Sequence, residues 1–243
     1  MRIGVDLRPL QDRSLSGVGE YTVQLMTALF RLATEDQFVF FTNSASRSVL
    51  LPASWPRERY MHHHHRIPNK ALNAALFLLR RPTLRNLCGP VDCFFAPNHN
   101  FLPGLNGVPL VLTVHDLSYH HYPSLFSRKK RLWHTLVQPR RIMREASALI
   151  AVSETTAKDC INTFHVPSEK IHAIHSGVTT HAVSGHERSA VRTQYQLPAH
   201  FLFSLSTHEP RKNLITLLDA YHELRRSGKY TGALVLAGTH GWS

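Results

Sequence analysis

The chain has 243 residues, of which 43% are hydrophobic and 18% are charged, and its net charge is +12. This composition can form a folded core and excludes a disordered chain, so we expect one large domain or two small ones. No window approaches the roughly 18 consecutive apolar residues that a membrane-spanning helix needs. The positive charge predicts an anionic partner, with nucleic acid, an anionic membrane and a phosphorylated substrate as the candidates.

The start of the chain and its cysteines indicate a cytoplasmic protein. The N-terminus leads directly into a short apolar run, so we expect no signal peptide. Cys88, Cys93 and Cys160 are an odd and sparse set, which we expect to be free thiols in a reducing compartment. The histidine run His62–His65 could bind a metal ion, but its flanks are typical of a surface strand. We therefore predict no metal site and no cofactor.

A strand, a glycine-containing loop and a helix open the chain. Arg2–Leu7 has the pattern of a buried strand, and Arg8–Gly19 that of a polar loop ending in Gly17 and Gly19. This order is typical of a nucleotide-binding fold, in which glycines let the backbone approach a phosphate at a helix N-terminus. A plain tight turn is the alternative, because Thr22 stands where the dinucleotide fingerprint needs a third glycine. The predicted apolar face of the helix comprises Val18, Tyr21, Leu25, Leu29 and Leu32.

The first candidates for chemistry follow the predicted strand Pro109–Val114. That strand is a continuous apolar run, as parallel strands buried on both faces give. It ends in His115 and Asp116, and ligands of open α/β sheets bind beyond the carboxyl ends of strands. In isolation, such a pair is more often a structural hydrogen bond. The other elements predicted around it are the strands Gln37–Thr42, Tyr60–Arg66 and Val91–Pro97 and the helix Asn69–Arg81.

A strongly basic segment follows, in which Ser127–Ala146 has a helical pattern interrupted at Pro139. No acidic residue falls between Arg128 and Arg144. A basic helix with an apolar stripe can lie on an anionic bilayer. The alternative is a solvated basic face whose stripe packs in the core. That stripe comprises Leu132, Trp133, Leu136 and Val137.

The C-terminal part of the chain has the pattern of a single β-α-β unit. Two apolar strands, Phe201–Ser206 and Ala233–Gly238, flank an amphipathic helix, Leu214–Arg226, which Asn213 can cap. Arg211 and Lys212 lie where that helix begins, so its N-terminus is well suited to bind a phosphate. One such unit cannot enclose a core, so we expect the sequence to stop within a domain. The predicted divisions are a domain at 1–178, a linker at 179–198 and an incomplete second domain at 199–243.

Six motifs occur together and in order along nearly the whole chain. They are Ser16–Tyr21, Val91–Asn98, Val114–Ser118, Ala151–Glu154, Lys170–Val178 and Glu209–Asn213. As a set they resemble glycosyltransferase family 4, the retaining group 1 glycosyltransferases with a GT-B fold. The resemblance implies an α/β protein with a Rossmann-like N-terminal domain on a parallel sheet, followed by a second, truncated Rossmann-like domain.

The resemblance also implies roles for these residues. The loop with Gly17 and Gly19 would lie against the donor's phosphates, and Arg211 and Lys212 would neutralise the diphosphate leaving group. Glu209 would lie on the donor side. His115 and Asp116 would lie beside the transferred sugar and the acceptor hydroxyl. Retaining members need no protein nucleophile and no obligatory metal.

The function implied is transfer of a hexose, with mannose as a candidate, from a nucleotide diphosphate sugar to an envelope polysaccharide or a lipid-linked acceptor. The chain would work in the cytoplasm or on the inner face of the cell membrane. Ser206 replaces a glycine usual in the family, and Thr207 and His208 stand where an arginine is often found. By the resemblance, the family's downstream glutamate pair is expected to lie beyond Ser243. A non-catalytic remnant or binding module is therefore the alternative. Nucleic-acid binding is disfavoured, because the basic residues do not interleave with aromatic residues.

Overall fold

A computed structural model describes residues 1–11, 15–45, 49–180, 182–239 and 241. The chain divides into two compact units. The first comprises Met1–Ser118 and Leu132–Ser176, and the second comprises Tyr119–Arg131 and Gly177–Ser243. Among the described residues, no helix is long and apolar enough to cross a bilayer.

The first unit is built on a seven-stranded parallel sheet with the strand order β3-β2-β1-β4-β5-β6-β7. Crossovers carry the helices over the sheet, as in nucleotide-binding α/β folds. The strands are β1 Arg2–Asp6, β2 Gln37–Asn43, β3 Tyr60–His65, β4 Cys93–Ala96, β5 Leu110–Val114, β6 Ala148–Ala151 and β7 Ile171–Ala173. The helices in or partly in this unit are α1 Gly17–Leu32, α2 Asn69–Leu79, α3 Leu84–Cys88, α4 Ser118–His121, α5 Arg128–Val137, α6 Pro139–Glu145 and α7 Glu154–Phe164.

Helix α1 corrects two predictions. Both glycines lie in its first turn, not in a loop before it, because the Ser16 hydroxyl caps the helix by accepting from the Gly19 N–H. The predicted apolar face is only partly correct: Leu25 and Leu29 pack against the hydrophobic core, whereas Leu32 is 80% exposed. A hydropathy pattern does not identify glycine or threonine as buried residues. Gly19 is buried because the Pro9 backbone lies close to it, and the buried Thr22 hydroxyl donates to the Val18 carbonyl oxygen of the same helix. The buried face is Gly19, Thr22, Met26 and Phe30.

The predicted break in the basic segment is confirmed. Gln138 adopts a left-handed conformation with φ of 55° between α5 and α6, and Pro139 opens α6. Proline has no N–H to donate within a helix, so it suits a first helical position. Only part of the predicted apolar stripe is buried: Val137 is inside, whereas Leu132 is 59% exposed.

The second unit carries the predicted β-α-β arrangement, with β8 Phe201–Leu205 and β9 Ala233–Ala237 paired in parallel around α9 Leu214–Arg226. The prediction that β8 is buried is wrong, since Phe203 is 59% exposed and Leu205 is 73% exposed. The reason is that the described residues of this sheet comprise two strands and leave much of its surface uncovered.

Two helix starts in this unit differ from expectation. Asn213 precedes α9 but makes no side-chain cap, because it is left-handed and its Oδ1 accepts from the Thr216 hydroxyl instead. Helix α8, Gly185–Gln194, was not predicted and lies within the stretch interpreted as a linker. Its signal is visible in the sequence, since Ser184 and Glu187 form a capping box.

Candidate active site

The candidate active site of the first unit lies at the carboxyl edge of the sheet. Because β1, β4 and β5 are parallel neighbours, their carboxyl ends meet at one edge. Helix α1 follows β1, His99 follows β4, and His115 follows β5 directly. The edge therefore brings the predicted glycine segment and the predicted histidine to neighbouring parts of one sheet.

His115 is half-buried, and its hydrogen bond fixes its chemistry. Its Nε2 lies 2.9 Å from the Pro97 carbonyl oxygen. A carbonyl can only accept, so Nε2 carries the proton and donates, and in the neutral ring Nδ1 keeps the lone pair. Burial lowers the pKa of His115, against the opposing effects of the Pro97 carbonyl and Asp116. The imidazole is therefore neutral near pH 7 and can accept a hydrogen bond at Nδ1.

Tyr21 positions His115 from helix α1. The two rings are perpendicular with centroids 4.9 Å apart, and the Tyr21 hydroxyl lies 3.1 Å from the Thr113 hydroxyl. Burial raises the pKa of Tyr21, although its hydrogen bond to Thr113 opposes this, so the phenol stays protonated. From the sequence, Tyr21 is predicted as part of an apolar face and of the motif Ser16–Tyr21, with no role of its own. The contact links the first turns of α1 to the end of β5.

Asp116 is exposed and shapes the chain after β5. Its Oδ1 accepts from the Ser118 backbone N–H at 3.0 Å and from the Ser118 hydroxyl at 2.5 Å. This turn directs the chain into α4. The carboxylate also acts on its neighbour by charge, since it raises the pKa of His115.

His99 is a buried histidine in a segment whose sequence predicts only a loop. Its side chain packs near Trp133 and His134, with ring centroids 6.0 Å and 5.5 Å away. Burial lowers the pKa of His99 to about 3, and the nearby His134 acts in the same direction while Asp116 opposes it. His99 is therefore neutral near pH 7.

The free energy of unfolding should fall in mild acid, because three histidines have a lowered pKa in the folded state. His62, His99 and His115 each have a pKa lowered mainly by burial, so the folded state binds protons less readily than the unfolded chain, whose histidines titrate near 6.5. The stability that they contribute is complete above that value and is lost as pH falls below it. With a folded pKa of about 3, His99 alone should cost about 2 kcal/mol of unfolding free energy at pH 5.

Urea unfolding at pH 7 and pH 5 measures this effect. The variant His99→Gln removes one titrating group, so its unfolding free energy should change less between the two pH values. An equal pH dependence in His99→Gln and the parent chain would contradict the assignment to His99.

The two predicted phosphate-binding glycines have different surroundings. Gly17 is exposed, and a Cβ added there would meet nothing within 4 Å. Gly19 is buried, and its added Cβ would lie 3.1 Å from the Pro9 carbonyl oxygen. Gly17 therefore leaves the helix N-terminus open to an anion, whereas Gly19 lets the helix pack. Ser16 already accepts from the Gly19 N–H, which leaves the earlier N–H groups of the turn for a ligand.

A buried ion pair between Arg8 and Asp6 stabilises the carboxyl edge of the sheet. Arg8 follows β1, and its Nη2 lies 2.6 Å from Asp6 Oδ2 and 2.7 Å from the Phe101 carbonyl oxygen. The Arg8 and Asp6 side chains are only 6% and 2% exposed. The guanidinium also stacks over the Phe41 ring at 5.1 Å. The pair thus joins the end of β1 to β2 and to the loop after β4.

In the second unit, the two predicted phosphate-binding cations are not equivalent. Arg211 is held by Glu209, with Nη2 2.6 Å from Oε1, and the Glu209 side chain is only 3% exposed. Lys212 is exposed at the end of the short turn Pro210–Lys212 that precedes α9. Glu209 therefore orients Arg211, and Lys212 is the cation more open to a ligand.

The part of the chain that the structure describes holds no group of three or more histidine, cysteine or acidic side chains that could bind a metal ion. The histidines of β3 have other roles, because His62 Nε2 and His64 Nδ1 both hydrogen-bond the buried Thr42 hydroxyl. His65 Nε2 lies 3.1 Å from the Leu87 carbonyl oxygen. The run thus forms the predicted strand at the sheet edge.

The fold class is α/β of the GT-B type, as predicted. The crystal structure of HepE from Anabaena in complex with UDP and glucose has a TM-score of 0.53 and 15% identity, over 99% of this chain and 70% of HepE. A glycosyltransferase from Rickettsia africae has a TM-score of 0.50 and 11% identity, over 99% of this chain and 68% of that one. At these identities the likeness establishes the fold alone.

The family profile of Glycosyltransferase Family 4 matches residues 15–182, so the chain belongs to glycosyltransferase family 4. O-antigen chain mannosyltransferase B of Escherichia coli is 27% identical over 135 residues, which are 54% of this chain and 35% of that protein. The serotype-specific mannosyltransferase WbdA of Escherichia coli is 30% identical over 96 residues, which are 38% of this chain and 12% of that protein. The matches thus cover about a third or less of these relatives.

Proposed function

We propose that this chain takes part in transferring a hexose, with retention of configuration, from a nucleotide diphosphate sugar to a glycan or lipid-linked acceptor. The observation that carries the proposal is His115, a neutral imidazole with Nδ1 as an acceptor, at the carboxyl edge of the sheet near the N-terminus of α1. Family membership supports the reaction class. Two mannosyltransferase relatives favour mannose as the sugar and an envelope polysaccharide as the product.

In the proposed reaction, the bond between the sugar's anomeric carbon and the diphosphate oxygen breaks, and the acceptor oxygen bonds the same carbon on the same face. The acceptor's proton passes to the departing diphosphate, so no protein nucleophile is needed. His115 Nδ1 accepts a hydrogen bond from a hydroxyl of the transferred sugar or of the acceptor, with Asp116 beside it. This contact orients the reacting groups.

The donor's diphosphate is the anion for which the cations and helix N-termini are suited. The first turn of α1, opened by Gly17 and packed through Gly19, presents N–H groups and the positive end of the helix dipole. Arg211 and Lys212, with Arg211 oriented by Glu209, offset the charge that grows on the leaving diphosphate. The HepE structure contains UDP and glucose, which favours a nucleotide diphosphate sugar as the donor class.

Replacing Lys212 with alanine should weaken donor binding, by about 1.5–3 kcal/mol if one charge-assisted hydrogen bond to phosphate is lost. Lys212 is the better cation to test, because removing Arg211 would leave the buried Glu209 unpaired and confound affinity with stability. Isothermal titration with nucleotide diphosphates and nucleotide diphosphate sugars measures the change.

The matched control is Lys229→Ala, which removes an exposed lysine of the same unit beyond the end of α9. Its donor affinity should equal that of the parent chain. Equal affinity in Lys212→Ala would remove Lys212 from the donor site. Absence of any donor binding by the parent chain would favour the alternative of a non-catalytic module.

We also propose that the chain works in the cytoplasm, in peripheral contact with the anionic inner face of the membrane. The net charge of +12 and the basic segment at α5 and α6 support this contact. It would keep the enzyme near a lipid-linked acceptor.

A further inference from the structure

Helix α2 ends in an apolar run that the first unit does not cover. Leu78 is 72% exposed, Leu79 is 68% exposed and Phe77 is 38% exposed, while Leu72 and Leu76 of the same helix are buried. Single exposed apolar residues are ordinary, but three at one helix end expose more apolar surface than an isolated residue does. We call Phe77–Leu79 the α2 tip.

A groove of about 420 Å³ lies beside the α2 tip, within the size range of ligand pockets. Helix α2, the loop 101–109 and the bend between α5 and α6 enclose it. The aromatic rings of Phe77 and Phe101 meet edge to face at 6.4 Å. Its apolar lining includes Leu76, Phe77, Phe101, Leu136, Val137 and Ile142.

The end of α2 is clamped against this groove. Arg80 adopts a left-handed conformation with φ of 51°, which is unfavourable for a residue with a side chain. Its carbonyl oxygen accepts from the Gly104 N–H at 3.1 Å, and a Cβ at Gly104 would lie only 2.7 Å from that oxygen. This close approach holds the α2 tip and the Arg80 side chain at the mouth of the groove.

The rim of the groove carries a net positive charge. Arg80 Nη2 lies 3.7 Å from Glu145 Oε1, and Arg141 Nε lies 2.7 Å from the same oxygen. Both arginine side chains are about half exposed. Arg81, Arg140 and Arg144 are also exposed and are neighbours of these residues in the sequence. A groove that combines apolar side chains with such a rim fits a hydrocarbon chain that ends in an anionic head group.

The groove is too far from His115 for a ligand bound in it to place a reacting hydroxyl beside that histidine. Its floor includes Pro109, Leu110 and Ser147, at the amino ends of β5 and β6. His115 follows the carboxyl end of β5, and five strand residues span about 16 Å. A ligand in the groove is therefore an anchor and not the acceptor of the reaction.

We propose that this surface binds an anionic phospholipid of the bilayer, with one acyl chain in the groove, the phosphate on the arginine rim and the α2 tip in the acyl boundary. The inference rests on the membrane contact proposed above and gives it a location. Transferase chemistry is independent of it, because vesicle binding is measured without donor or acceptor.

Co-sedimentation with vesicles tests the surface. The chain should bind vesicles of equimolar phosphatidylglycerol and phosphatidylcholine, and should bind vesicles of phosphatidylcholine alone much more weakly. The double variant Leu78→Ser with Leu79→Ser should bind the anionic vesicles about tenfold more weakly, because two apolar side chains no longer enter the acyl boundary. The control Leu32→Ser, which changes a leucine 80% exposed at the end of α1, should bind like the parent.

A second set of variants separates this surface from the first turn of α5. Replacing Arg80 and Arg141 with glutamine should weaken binding to the anionic vesicles, whereas replacing Arg128 and Arg131 with glutamine should have the smaller effect. The reverse order would overturn the proposal and assign the contact to the start of α5. Binding by the leucine variant equal to that of the parent would also overturn it.

Acyl-chain entry is tested by fluorescence, because Trp133 packs against Phe101 of the groove with ring centroids 6.3 Å apart. Anionic vesicles with brominated acyl chains should quench part of the tryptophan emission, and Trp133→Phe should abolish that part. Vesicle binding without quenching of Trp133 would overturn the seating of a chain in the groove. Donor titration of the leucine variant should match that of the parent, so a failed transferase proposal and a failed lipid proposal give different results.

Discussion

Replacing His115 with alanine should lower hexosyl transfer about 10²–10³-fold, the usual cost of removing one preorganised hydrogen-bonding group from an active site. The variant loses the Nδ1 acceptor and the contact with Tyr21 at the carboxyl edge. The imidazole is only half-buried, so its removal should leave the fold intact. Turnover is measured with a panel of nucleotide diphosphate sugars and a glycan or lipid-linked acceptor. The assay uses a form of the protein that shows hexosyl transfer before the substitution.

Two controls make that result specific. His172→Ala removes an exposed histidine of β7, away from the edge where β1, β4 and β5 end, and should leave turnover unchanged. Far-ultraviolet circular dichroism and urea unfolding should show that His115→Ala folds like the parent. Turnover of His115→Ala equal to that of the parent would remove His115 from the site.

Turnover should fall in acid, because the His115 imidazole then becomes protonated. The proposed contact needs the neutral ring, and burial lowers the pKa of His115 below its usual value. Donor and acceptor contacts at Nδ1 are therefore retained at neutral pH and are lost as pH falls through the lowered pKa. Protonation there would convert the acceptor into a donor.

The strand-end position of His115 could be predicted from the sequence, but its chemical state could not. The apolar run of β5 and the rule for parallel sheets place His115 at the ligand edge. The tautomer depends on the Pro97 carbonyl, which comes from the loop after another strand. The contact with Tyr21 depends on how α1 packs, so no local pattern reports it.

Helix α1 illustrates the same limit for the fold. Its existence and its strand neighbours follow from periodicity, but its buried face contains Gly19 and Thr22, which hydropathy does not select. Gly19 is buried because the Pro9 carbonyl approaches closely, and Thr22 because Val18 accepts its hydroxyl proton. Tertiary contacts at these two positions decide which face turns inward.

The cations before α9 show how a motif can be located without its roles being separated. Arg211 and Lys212 are adjacent in sequence and were given one function. The structure distinguishes them, because the nearly buried Glu209 holds Arg211 while Lys212 remains exposed. The Arg211 guanidinium donates to the Glu209 carboxylate two residues before it in the chain. Residue types alone do not predict this contact or the burial of the carboxylate.

The buried pair beneath the site predicts the largest loss of stability. Arg8→Met should lower the unfolding free energy by about 3–5 kcal/mol, because it leaves the buried Asp6 carboxylate without its counter-ion. The Phe101 carbonyl oxygen would lose its guanidinium donor as well. The backbone N–H of residue 8 would still donate to Asp6. Urea unfolding followed by circular dichroism measures the change.

The double variant Asp6→Leu with Arg8→Met distinguishes an unpaired charge from lost packing. Replacing both partners of a buried ion pair with apolar residues is often nearly neutral, so the double variant should recover most of the stability that Arg8→Met loses. Arg141→Met is the control, because it breaks an ion pair to Glu145 whose partners are about half exposed and should cost about 0–1 kcal/mol. If Arg8→Met cost no more than Arg141→Met, the buried pair would not be what holds the end of β1 to the loop after β4. The carboxyl edge that carries His115 would then depend on packing alone.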